Sequence, residues 1–258
     1  MLKLLFLVAA AYAGIAAIVF FTADRQMFLP PPPSYRESDL PLVKVPTGDD
    51  GEIAAIHLPN PASRVTLLFS HGNAEDLGYL APFLVALRDA GFSVIAYDYR
   101  GYGRSSGPPA SETSAYRDIE AVYGWAVETL RIPPGRIVLH GRSVGSGPAV
   151  HLAATKPDGG LVIESVFTSA IVVVTRVPIF PFDKFANLRR IAKVRCPVLV
   201  IHGAADEIIP PSHGRALFAA APEPKRLAMV PGAGHNDLVS VAGEDYWRTL
   251  REFAETVE

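Results

Sequence analysis

The run His140-Gly141-Arg142-Ser143-Val144-Gly145-Ser146-Gly147 follows the apolar stretch Ile137-Val138-Leu139 and precedes a segment that reads as helix. A glycine-flanked serine also occurs by chance in ordinary loops, so the setting decides its meaning. Strand, turn and helix in that order is the setting of a G-x-S-x-G nucleophile elbow. Such an elbow holds Ser143 at a sharp, strained turn for which Gly141 and Gly145 leave room. The serine hydroxyl then projects from the sheet, and the N–H of Val144 faces the place where an oxyanion would develop.

Working outward, short apolar runs recur at 65–69, 93–97, 137–139, 161–163, 198–201 and 227–230. Runs of this length, apolar at successive positions, suit strands buried on both faces of a parallel sheet. Between them lie helical spacings: Leu80, Phe83, Leu84 and Leu87 share one face, Ile119, Val122, Tyr123 and Ala126 another, and Tyr246, Leu250 and Phe253 mark a closing helix. Ahead of this alternation, 42–45 and 53–56 flank a segment carrying the Asp50-Gly51 turn signal, which predicts an opening antiparallel hairpin. The fold class expected is α/β, a mostly parallel doubly wound sheet with right-handed crossovers and an N-terminal antiparallel hairpin.

The N-terminus has a different character. Residues 4–21 form an uncharged run of 18, about 27 Å long as a helix against a hydrocarbon core of about 30 Å. It reads as a transmembrane anchor over 1–22. A cleaved signal peptide competes, with Ala11-Tyr12-Ala13 as its small-residue site, but that site lies inside the run, and Phe21 spoils the one ending at Ala23. A buried core helix is the other alternative, although a helix apolar on every side suits lipid better. Lys3 and the terminal amine at one end, against Arg25 and Arg36 at the other, favour by a narrow margin an N-terminus inside and the following domain outside. Pro30-Pro31-Pro32-Pro33 cannot continue the helix and predicts an extended stalk over 23–41, leaving 42–258 as one domain.

A formal charge of -2 with scattered basic residues gives no footprint for nucleic acid. Cys196 is the only cysteine, which excludes an internal disulfide and a cysteine-based metal cluster, and it is expected in the core.

A serine hydroxyl is a weak nucleophile at neutral pH. It needs a base within hydrogen-bond reach, and the base needs a third group to fix its tautomer. His235 and Asp206 follow the last two predicted strands, on the sheet edge that Ser143 also occupies. Glu207 rivals Asp206 for the acid's role. The order Ser143, Asp206, His235 separates this arrangement from other serine-based folds. A second oxyanion donor would come from Ser70-His71-Gly72-Asn73-Ala74-Glu75-Asp76, with the N–H of Asn73 as candidate beside that of Val144 and with Asp76 as a helix cap.

Through His71-Gly72-Asn73, Asp98-Tyr99-Arg100-Gly101-Tyr102-Gly103-Arg104-Ser105, Gly141-Arg142-Ser143-Val144-Gly145, Asp206 and Gly234-His235, the chain resembles the α/β-hydrolase superfamily over roughly 42–256. Glu164-Ser165-Val166-Phe167-Thr168-Ser169 makes it look most like the membrane-anchored serine hydrolases of the serine aminopeptidase-like branch, which includes lysophospholipid lipases and protein depalmitoylases. The resemblance implies that Ser143 attacks an acyl carbonyl, His235 shuttles the proton, Asp206 orients His235 and no metal or organic cofactor takes part. It also places a short lid at 168–193. Phe180 and Phe182 there, with Tyr99 and Tyr102 near the mouth, could line an acyl-chain pocket or could serve packing alone. Three readings stand: an esterase, thioesterase or lipase on lipid-like acyl substrates at a membrane; a peptidase, whose acidic anchor would be Glu75, Asp76 or Glu164; and a non-enzymatic binding protein on the same scaffold.

Overall fold

A computed structural model describes residues 1–49 and 51–257, so Asp50 of the expected turn lies outside the described residues. The strands are β1 (Leu42–Pro46), β2 (Glu52–Leu58), β3 (Thr66–Ser70), β4 (Ser93–Tyr97), β5 (Ile137–Arg142), β6 (Gly160–Glu164), β7 (Val198–Gly203) and β8 (Lys225–Val230). They form an 8-stranded sheet in the order β1-β2-β4-β3-β5-β6-β7-β8. β1 and β2 are antiparallel to each other, and β2 is antiparallel to β4; every other pairing is parallel. This is the mostly parallel sheet with an N-terminal antiparallel hairpin that the apolar runs predict, and it is the arrangement that the resemblance to the α/β-hydrolases implies.

The helices are α1 (Leu2–Met27), α2 (Leu77–Asp89), α3 (Glu112–Gly124), α4 (Ser146–Ala153), α5 (Ala170–Thr175), α6 (Asn187–Ile191), α7 (Ser212–Ala220), α8 (Leu238–Ala242) and α9 (Glu244–Ala254). Because strand side chains alternate between faces, the sheet separates two cores. Leu68, Leu139, Ile163 and Val200 face one layer, closed by Ile119 and Val122 of α3 and Val150 of α4. Leu67, Val138, Val162 and Leu199 face the other, closed by Leu80 and Leu84 of α2 and Leu250 of α9.

α1 runs through Met27, beyond the 1–22 expected from charge alone, because Arg25 sits in its last turn without breaking it. The proline run does not stand clear of the domain as a free spacer. Phe28 is 5% exposed, Tyr35 equally buried, and both belong to the cores on either side of the sheet. Pockets on the domain receive the aromatic residues on either side of the prolines. The lid over 168–193 contributes two short helices, α5 and α6, joined by an irregular stretch. Its Phe185 is fully buried against Phe28, Tyr116 and Phe167.

Phe185 therefore pins the lid to the domain. Phe185→Ala is expected to lower the unfolding free energy by about 3–5 kcal/mol in a urea titration of the full chain. A loss below about 1 kcal/mol would show that the lid is not docked as described.

Candidate active site

β5 ends at Arg142, and Ser143 takes the left-handed backbone conformation at φ 52° before α4 begins. The glycines permit this turn. A Cβ on Gly145 would lie 2.1 Å from the Ser70 carbonyl oxygen, and one on Gly141 would lie 2.5 Å from the Gly145 carbonyl oxygen. The Ser146 hydroxyl donates to the Ser143 carbonyl at 2.6 Å and ties the turn to the helix.

His235, on the loop after β8, places Nε2 3.0 Å from Ser143 Oγ and Nδ1 2.8 Å from Asp206 Oδ2. Asp206 follows β7, and its other oxygen accepts from the amides of Ile208 at 3.0 Å and Ile209 at 2.8 Å. Burial pushes this carboxyl up, but hydrogen bonds from His202, His235 and the Ile209 amide outweigh it and hold Asp206 well below the usual carboxylate range. Asp206 is thus an ionised acceptor aimed at the imidazole, while its rival Glu207 points to solvent. Ser165, left-handed at φ 46°, donates from Oγ to the His235 carbonyl at 3.1 Å and steadies the loop that carries the base.

The loop His71-Gly72-Asn73 lies beside the elbow: a Cβ on Gly72 would be 3.7 Å from that of Ser143. The Gly72 amide donates to Glu75 Oε2 at 2.7 Å. Among the described residues no protein acceptor takes the Asn73 N–H. Asp76 caps α2, accepting from the Tyr79 amide at 2.9 Å. Tyr99 and Tyr102 are fully buried, in keeping with the packing alternative that the sequence leaves open for them. Their hydroxyls donate inward, to the His71 carbonyl and to Asn73 Oδ1, each at 2.8 Å. Phe180 and Phe182 line a cavity of about 440 Å³ formed within the lid segment, together with Ile171, Val172 and Leu188. No member of the Ser143, His235 and Asp206 set is in that lining.

A charged network behind the elbow escapes sequence reasoning. Glu164, fully buried at the end of β6, accepts from His140 Nε2 at 2.8 Å, from Arg142 Nε at 3.1 Å and from the Tyr246 hydroxyl. The Arg142 guanidinium stacks over Phe83 with its carbon 4.3 Å from the ring centre, and its Nη1 lies 3.8 Å from Glu75 Oε1. The only sequence signals are polar residues at the ends of apolar runs. With Glu164 enclosed and Asp76 capping, neither carboxylate is available to anchor a substrate amino group, and Glu75 is engaged by Gly72 and Arg142. Among the described residues no three His, Cys, Asp or Glu side chains are arranged to hold a metal ion.

Burial pushes Glu164 up, but His140 and Arg142 outweigh it and hold it at about 2, below its ordinary 4.5. A carboxyl whose pKa is lower folded than unfolded contributes stability above the unfolded value and loses that contribution as pH falls through the folded one. Glu164→Gln is expected to be less stable than wild type at neutral pH, with the gap in urea unfolding free energy narrowing between about pH 5 and about pH 2.5. A gap constant over that range would contradict the assignment.

Comparison with known proteins accords with this geometry. The pattern of the family described as alpha/beta hydrolase fold matches residues 65–171, and that described as serine aminopeptidase, S33, matches 186–239. Alpha/beta hydrolase domain-containing protein 17B of Homo sapiens is 40% identical over 197 residues, covering 75% of this chain and 67% of the relative. Protein 17C of Mus musculus is 41% identical over 197 residues, covering 75% of this chain and 60% of its own. Among solved structures, the Pyrococcus furiosus esterase Pf2001 superposes with a TM-score of 0.73 at 20% identity, covering 88% of this chain and 98% of that one, a likeness of fold. The chain belongs to the α/β-hydrolase superfamily, in its serine aminopeptidase-like branch, and is a hydrolase.

Proposed function

We propose that the protein is a membrane-anchored serine hydrolase that cleaves carboxylic ester or thioester bonds of lipid-like acyl substrates. The observation that carries this reading is the continuous hydrogen-bonded path from Ser143 Oγ through His235 to Asp206, at 3.0 and 2.8 Å, with the serine on a left-handed turn. His235 Nε2 removes the serine proton as Oγ attacks the acyl carbonyl. Asp206 holds the imidazole in the tautomer with its proton on Nδ1 and stabilises the imidazolium that forms. The negative charge on the former carbonyl oxygen is met by the backbone amides of Asn73 and Val144. As the tetrahedral intermediate collapses, His235 returns the proton to the leaving oxygen or sulfur. The acyl-serine ester is then cleaved by water through the same base.

The lipid-like character of the substrate is supported by the cavity within the lid, whose lining of Ile171, Val172, Phe180, Phe182 and Leu188 suits an acyl chain. Anchoring is supported by α1, which is long and apolar enough to cross a membrane and has most of its side chains exposed. The domain reaches this helix through the lid. The Tyr12 hydroxyl donates to the Ile179 carbonyl at 2.8 Å, and Phe20 meets Phe182 edge-on at 5.2 Å between ring centres. In this reading Phe180 and Phe182 are substrate-facing, and a single span puts the cavity beside the bilayer. The engagement of Glu75, Asp76 and Glu164 weighs against the peptidase alternative.

In membranes carrying the wild type, a fluorophosphonate probe is expected to label this chain in the pelleted fraction, and Ser143→Ala should abolish both labelling and ester hydrolysis. Asp206→Asn is expected to lower kcat by about 10⁴-fold, because the amide favours the wrong imidazole tautomer. Equal labelling of Ser143→Ala, or recovery of wild type in the soluble fraction, would overturn the respective half of the proposal. Phe182→Trp should shift the preferred p-nitrophenyl ester toward shorter acyl chains; an unchanged chain-length profile would detach the cavity from the substrate.

A further inference from the structure

The segment between α1 and the sheet makes more contacts than a linker needs, and they converge on one loop. Asn73 Oδ1 accepts from the Leu29 amide at 2.8 Å, from Tyr102 Oη at 2.8 Å and from the Ala74 amide at 2.9 Å, which leaves its side chain one orientation. Asp76 Oδ2 accepts from the Ser34 amide at 2.7 Å, and its other oxygen also takes the Ser34 hydroxyl. The Tyr35 hydroxyl donates to Asp98, a fully buried carboxylate that in turn accepts from the Leu77 amide at 2.9 Å and lies 3.5 Å from His71 Nε2. His71, Asn73 and Asp76 are thus each braced, directly or through one carboxylate, by residues 29, 34 and 35.

The segment is itself held at both ends. Phe28 sits among Tyr99, Tyr102 and Phe185 with ring centres 5.8, 6.4 and 6.0 Å away. The Arg104 guanidinium donates to the Tyr35 carbonyl at 2.9 and 3.1 Å. The Phe28 amide still bonds to Asp24 in the last turn of α1 at 2.9 Å, so only a single residue separates the helix from the contact on Asn73.

We propose that residues 28–35 are a positioning element for the oxyanion loop, acting through the Leu29 amide on Asn73 and through Tyr35 on Asp98 and His71, so that the docking of the apolar helix sets the aim of the Asn73 N–H. The proposal rests on the reading of Asn73 as an oxyanion donor. Such a donor is worth most when its position is fixed before reaction, and a small displacement weakens the transition state while leaving substrate binding alone. A segment serving stability alone would affect the amount of folded protein and not the turnover of what is folded.

Leu29→Pro deletes the donor. Phe28 at φ -109° and ψ 108° already has the extended backbone that a following proline requires. Tyr35→Phe removes the hydroxyl and keeps the ring. Both variants, full length in detergent micelles, are assayed with a short-chain p-nitrophenyl ester and with a trifluoromethyl ketone, which adds to Ser143 as a tetrahedral oxyanion. The expected result is a fall in kcat of about tenfold for each, with KM unchanged and affinity for the ketone reduced by the same factor. Wild-type kcat and ketone affinity per folded molecule, whatever the change in thermal stability, would overturn the positioning role. A wild type that neither turns over the ester nor binds the ketone at Ser143 would overturn the functional reading together with it.

Discussion

The left-handed backbone at Ser143, φ 52°, is the constraint on which the rest of the structure turns. A non-glycine residue held there costs of order 1–3 kcal/mol and persists only where its surroundings leave no alternative. β5 arrives in register between β3 and β6, α4 must start at once to cover the sheet, and Gly141 and Gly145 let the two backbones come together without a Cβ between them. The strain is useful because it lifts the Ser143 hydroxyl out of the sheet toward His235, at the carboxyl edge where loops from β7 and β8 also end.

Around this turn the protein places charge in pairs rather than singly. Asp206 is buried but saturated by amides and imidazoles, which keeps it ionised beside His235. Glu164 is buried deeper and is matched by His140, Arg142 and Tyr246 from β5 and α9. Since Arg142 directly precedes Ser143, this network and the elbow share a backbone. A buried carboxylate without partners would be strongly destabilising, so the network fixes how β5, β6 and α9 meet as much as it adds stability.

The fold was legible in the sequence because parallel strands buried on both faces read as short apolar runs, and β3 to β8 each fall on one of them, while β1 and β2 fall on the two arms of the expected hairpin. The spacing of Ser143, Asp206 and His235 was legible because each follows such a run. Other features depend on partners remote in sequence. Nothing local distinguishes the enclosed Glu164 from a solvated glutamate until His140 and Tyr246 are brought to it. Whether Tyr99 and Tyr102 line a pocket or pack was open in the sequence, because the His71 carbonyl and Asn73 Oδ1 that receive their hydroxyls lie remote along the chain. The proline run reads as a spacer because local preference carries no information about the pockets that receive Phe28 and Tyr35.

The central claim is that catalysis passes through an acyl-enzyme on Ser143. Rapid acid quenching during turnover of a long-chain thioester, followed by peptide mass spectrometry, tests it most directly. The account predicts an acyl adduct on the peptide containing Ser143, absent in Ser143→Ala. An adduct on another residue, or steady turnover with none, would contradict it.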